Sequence, residues 1–149
     1  MKVKRKIVAV PALAAETSRA EYVAVVEPIC HRNTQANERI LKGVKSEVKR
    51  GKLKPAAALA KAAAALQKTY AELKAVPQPA ADAARLATWL TYVKSESTLL
   101  NATAKELRAG NKSKASHEEA KLVHNANLAN SEVRPFGFHC CRFEPARFT

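Results

Sequence analysis

Three cysteines constrain this chain more than any other feature. Cys30 comes early, and Cys140 and Cys141 sit side by side near the C-terminus. A bridge from Cys30 to either one would tie the two ends of the fold together, Cys30–Cys141 being the leading pairing and Cys30–Cys140 its rival. The cysteine left over is a spare thiol or pairs between molecules. Closing a loop of about 110 residues stabilises a fold by roughly 4 to 5 kcal/mol in the chain-entropy picture. At 149 residues the chain fits one domain, large enough to bury roughly two-thirds of its unfolded surface without such help.

The elements that a bridge would join read as helices. About a fifth of the residues are Ala, the residue with the highest helix propensity. Ser18 and Glu21 form a capping box at the start of a first helix. Its apolar positions Tyr22, Val25, Val26, Ile29, Ala36, Ile40, Leu41, Val44 and Val48 keep the 3.6-residue period as far as a stop at Gly51. Pro28 lacks the N–H that a helix interior needs and predicts a kink or restart near Cys30. Pro55 opens a second helix with the stripe Leu59, Ala62, Leu66, Tyr70 and Leu73, ended at Pro77 and Pro79. From Pro79 to Ala109 the seam Leu86, Leu90, Val93, Ser97, Leu100, Ala104 and Leu107 alternates steps of four and three, and Gly110 closes it. A fourth helix is expected from Ser113 or Ser116, with Ser116 and Glu119 as a second capping box, to Arg134. Its weaker stripe is Ala120, Val123, Ala126, Ala129 or Asn130, and Val133. Beyond Pro135 come all four phenylalanines, Phe136, Phe138, Phe143 and Phe148. That aromatic surface calls for burial. The expected architecture is therefore all-α: an antiparallel four-helix bundle with a short aromatic, cysteine-bearing C-terminal tail docked on it.

Residues 1–15 combine a basic start (Lys2, Lys4, Arg5, Lys6), an apolar run from Ile7 to Ala15 and the triplet Ala12-Leu13-Ala14. This is a short signal segment, which leaves residues 16–149 as a single helical-bundle domain that is secreted or held at the cell envelope. The chain is cytoplasmic if that segment does not function. No apolar run approaches the roughly 18 residues of a membrane span.

Chemistry-bearing patterns are sparse. Glu-x-x-His pairs for a di-iron site, C-x-x-C-H for haem, a hydrolase elbow and a Gly-rich phosphate loop are all missing. No catalytic residues, metal or cofactor are therefore assigned, and the chain reads as a non-enzyme. Cys30, His31, His139 and Cys141 have the donor types for a metal but not the paired spacing that lets one element present two ligands. Two clusters remain. Lys42, Lys45, Lys49, Arg50, Lys52 and Lys54 form a basic patch, either a solvated face or an anion-binding site for envelope polymer, lipid headgroups or, less favoured, nucleic acid. Asn33 and Asn37 on the first helix, with His124, Asn125, Asn127 and Asn130 on the fourth, offer a polar pocket or simply amides paired across helices.

The blocks Tyr22-Val23 through Pro28-Ile29-Cys30, Ile40-Leu41-Lys42-Gly43, Gly51-Lys52-Leu53-Lys54-Pro55, His124-Asn125-Ala126-Asn127-Leu128-Ala129-Asn130 and Phe136-Gly137-Phe138 through Cys141-Arg142-Phe143 resemble a group of small, predicted-exported, Ala/Lys-rich helical proteins of high-GC Gram-positive bacteria. The resemblance implies a helical fold and an exported compartment but no activity. It also implies a single tail cysteine matching Cys141, with Cys140 the spare thiol. The functional expectation is a binding or structural protein at the cell envelope. The alternative is a basic protein that binds nucleic acid or other polyanions non-specifically.

Overall fold

The computed structural model describes residues 17–50 and 54–144, with Lys54 described in its backbone alone. The signal segment, the Gly51 stop, Lys52 and Phe148 lie outside the described residues. Helix α1 spans Arg19–Ile40, α2 Val44–Lys49, α3 Lys54–Lys74, α4 Ala83–Arg108 and α5 Lys112–Glu132. Short 3₁₀ turns at Ala80–Asp82 and Arg134–Phe136 precede α4 and follow α5. The four long helices pack together, and no strand occurs among the described residues. No helix among them is long and apolar enough to cross a membrane.

Helix α1 begins where its capping box places it. The Ser18 hydroxyl accepts from Glu21 N at 3.0 Å, and the Glu21 carboxylate accepts from Ser18 N at 3.0 Å. Two expectations for this helix need correction. It neither restarts at Pro28 nor runs to Gly51. The helix is uninterrupted across Pro28, whose ring is exposed, while Tyr22, Val26 and Cys30 carry the buried face past it. The break falls instead at Gly43, whose φ of +80° is a left-handed conformation that glycine adopts at little cost. Val25, expected in the stripe, is 51% exposed.

The seam of α4 is buried at Leu86, Leu90, Val93, Ser97, Leu100 and Ala104, with Trp89 beside it. Helix α4 packs on both α3 and α5, and α1 packs on α3. Helix α5 starts earlier than expected. Asn111, not a serine, is its N-cap, and its side chain accepts from Lys114 N at 3.1 Å. The expected stripe of this helix is buried at Ala126, Ala129 and the C-cap Val133; Leu122 and Asn125 are buried beside them, Val123 is half-buried and Ala120 is exposed.

At one end, Arg19 makes a two-pronged pair with Asp82, at 2.7 and 3.0 Å. Its guanidinium also stands 4.8 Å from the Phe136 ring centre. This pair holds the Asp82 carboxyl below its ordinary value, chiefly through the Arg19 hydrogen bond. From there a line of rings crosses the core. Tyr22 meets Phe136 edge-on at 6.2 Å, Phe136 stacks on Phe138 at 5.4 Å, and Phe138 lies 5.5 Å from Trp89.

Candidate functional site

The cysteine end is organised by a residue that the sequence reading passed over. The Glu27 carboxylate accepts three backbone N–H groups, from His139 at 2.8 Å, Cys140 at 2.9 Å and Cys141 at 3.0 Å. Three successive donors on one anion hold the turn at 139–141 against α1. Cys30 and Cys141 lie at disulfide distance, 2.06 Å between sulfurs, with Cα atoms 5.1 Å apart. Cys140 is a free thiol, its sulfur 3.7 Å from His31 Nδ1. Desolvation, with a smaller contribution from the Glu27 charge, raises its pKa, so it is not an activated nucleophile. An acid three residues before Cys30, and so on the same face of a helix, was the sequence signal for this arrangement.

Beside the bridge opens a cavity of about 270 Å³. Asn33 and Asn37 line it together with Leu66, Trp89, Val93 and Phe143. Asn37 Nδ2 donates to Asn33 Oδ1 at 3.3 Å, which leaves Asn33 Nδ2, Asn37 Oδ1 and the indole N–H of Trp89 buried without a protein partner. The other members of the expected polar pocket are not brought here. Asn127 and Asn130 line a separate groove with Arg134 and Phe138, and His124 is exposed. Asn130 is committed to the tail, donating to Phe143 O at 2.7 Å and accepting from Phe143 N at 2.8 Å. The buried face of α5 explains the split, because it carries Asn125 inward and His124 and Asn127 outward.

Asn125 meets a second residue that sequence reasoning missed. Its Nδ2 donates to Glu96 Oε1 at 2.6 Å and to Tyr92 O at 2.9 Å. Glu96 is only 5% exposed, and burial pushes its pKa up to about 7 against the partial relief of the Asn125 hydrogen bond. Its polar neighbours Lys94, Ser95, Ser97 and Thr98 give no sequence hint that this acid points inward.

At the basic end, Lys42, Lys45 and Lys49 line one open groove with Leu41, Gly43 and Ser46. Glu38 is the one carboxylate among its described lining residues. Arg50 is not among its lining residues; its guanidinium reaches back to the Ser46 hydroxyl at 3.0 Å. Lys52 lies outside the described residues, as does the Lys54 side chain. Among the described residues, no three His, Cys, Asp or Glu side chains come together to hold a metal ion. No protein-family model, curated protein or solved structure matches this chain.

Proposed function

We propose that this chain is a non-enzymatic, exported helical protein that binds anionic material at the cell envelope. The observation that carries the reading is the convergence of Lys42, Lys45 and Lys49 on one groove, in a chain of formal net charge +13. Clustered ammonium groups raise the local concentration of anions and steer them inward. The proposed frame is an antiparallel bundle whose aromatic tail docks between α1 and α5. The ring line from Tyr22 to Trp89 and the Glu27 clamp support that placement. A Cys30–Cys141 bridge fits an oxidising compartment, in keeping with the signal segment read in residues 1–15. The affinity for nucleic acid that such a charge confers is the second reading.

The test has two parts. Intact mass under thiol-blocking conditions, on protein from its native host, is expected to show a start near Glu16 and one disulfide. In co-sedimentation at physiological salt, phosphatidylglycerol vesicles are expected to retain the protein and phosphatidylcholine vesicles to lose it. The triple variant Lys42→Glu, Lys45→Glu, Lys49→Glu should abolish retention. An uncleaved chain with three blocked thiols, displaced from vesicles by stoichiometric duplex DNA, would put the nucleic-acid reading first.

A further inference from the structure

Next to the lysine groove, and sharing two of its lining residues, lies an apolar cleft of about 300 Å³. Its walls are Val44, Val48, Leu59, Leu100, Leu107 and Leu122. Its small lining residues are on α5, where Ala115 stands in the first turn with Ser116 next to it, and α3 contributes Leu59. The Thr103 hydroxyl in the wall is already committed to Leu99 O at 2.9 Å. Water in such a space would find few partners.

Charge rings the opening. Lys45, Lys49 and Lys112 line the cleft and are exposed, and Glu119 is the one carboxylate among the described lining residues. Lys45 and Lys49 also line the neighbouring groove. The same two cations therefore border both the apolar space and the anion groove. Long lysine stems can lie along apolar walls while the ammonium groups stay hydrated at the rim.

From this juxtaposition we infer that the cleft binds a single-chain anionic amphiphile, specifically a free medium-chain fatty acid. The chain fills the space between α2, α3, α4 and α5, and the carboxylate rests on Lys45 and Lys49. Size decides the class. A methylene takes about the volume of a water molecule, roughly 30 Å³, so 300 Å³ accommodates a chain of roughly ten carbons and not the two long chains of a phospholipid. A polyphosphate or nucleic acid would meet the lysines but leave the walls uncovered. The inference rests on the anion-binding reading above and names the ligand of its two shared lysines.

Calorimetric titration of the full chain with octanoate, decanoate and decanol, each below its aggregation threshold at physiological salt, tests it. Decanoate is expected to bind saturably at one site. Octanoate should bind roughly tenfold more weakly for its two fewer methylenes, and decanol at least tenfold more weakly for want of charge. Lys45→Glu with Lys49→Glu should lower decanoate affinity at least tenfold and leave decanol nearly unchanged, whereas Lys68→Glu on α3 should change neither. Ala115→Phe, which fills the cleft, should abolish binding of both; should that variant not fold, the exposed lysine pair still decides. Absence of saturable decanoate binding, or binding indifferent to chain length and to the lysine pair, overturns the inference. Retention on phosphatidylglycerol vesicles without decanoate binding overturns the cleft and leaves the groove standing. Lysine-dependent decanoate binding without vesicle retention supports the cleft and removes the envelope-surface reading.

Discussion

Two carboxylates of this chain do opposite things because their surroundings differ. Glu27 accepts three N–H groups at the molecule's edge. Glu27→Ala leaves those donors to water and frees the 139–141 turn, and it is expected to cost about 2 kcal/mol, in the range of hydrogen bonds to charged groups. Glu27→Gln keeps an acceptor oxygen and should lose about half as much. Chemical denaturation measures both, and amide exchange at 139–141 should quicken in the same order. Glu96 is buried with an amide rather than a cation beside it, and its pKa rises from 4.5 to about 7. A carboxyl raised on folding binds its proton more tightly in the folded chain, so its contribution is fully present below pH 4.5. That contribution is lost as pH climbs through about 7. The loss amounts to about 3 kcal/mol. Glu96→Gln keeps an acceptor for Asn125 without the charge. Unfolding free energies of wild type and variant, measured between pH 4.5 and 8, should diverge in the variant's favour as pH rises; a constant difference across that range would contradict the assignment.

At the level of elements, the devices that succeed are local and the one that surprises is also local. Gly43 has a φ of +80°, yet a Cβ there would meet Glu47 Oε1 at an ordinary 3.7 Å. The cost of Gly43→Ala is therefore backbone strain alone, about 1 to 2 kcal/mol. Asn111→Ala removes the α5 cap and should cost about 1 kcal/mol, while Asn111→Gly should cost only a few tenths; denaturation midpoints separate the three. The Ser18–Glu21 start was legible in the sequence because it depends on residues within one turn, and the α4 seam because its apolar period is sustained from Leu86 to Leu107. Gly43 was hidden inside an apolar period that continues through Leu41 and Val44, both buried, so periodicity alone argued for one helix. The face of α5 was legible only in part: Ala126, Ala129 and Val133 are buried as their period implies, but the run of Ala and Asn gives little contrast, and the inward place of Asn125 depends on its partner Glu96 on α4. The basic cluster was legible as charge, but the cleft beside it was not. That cleft is lined from α2, α3, α4 and α5, which sequence position does not bring together.

For the whole molecule, the informative question is what holds α1 to the rest. Helix α1 packs on α3, whereas α4 lies between α3 and α5. The Arg19–Asp82 pair joins α1 to the turn before α4, and its connection to the C-terminal segment runs through the Tyr22–Phe136 contact, the Glu27 clamp and the Cys30–Cys141 pair. All but the last are non-covalent and individually modest. The disulfide, at a sequence separation of 111, restricts the unfolded chain by roughly 4 to 5 kcal/mol. Cys30→Ser with Cys141→Ser should therefore lose stability of that order, and Cys140→Ser should change it by less than about 0.5 kcal/mol, since that thiol takes no part in the bridge. The two variants together separate the bridge from the neighbouring thiol. The distribution of the loss carries more information than its size. Helices α3, α4 and α5 keep their mutual contacts without the bridge, so hydrogen exchange in the reduced protein should quicken most over residues 19–40 and 134–143 and least along 83–108. Uniform acceleration would mean that α1 and the tail are not a separable unit, and that the bridge stabilises one cooperative core.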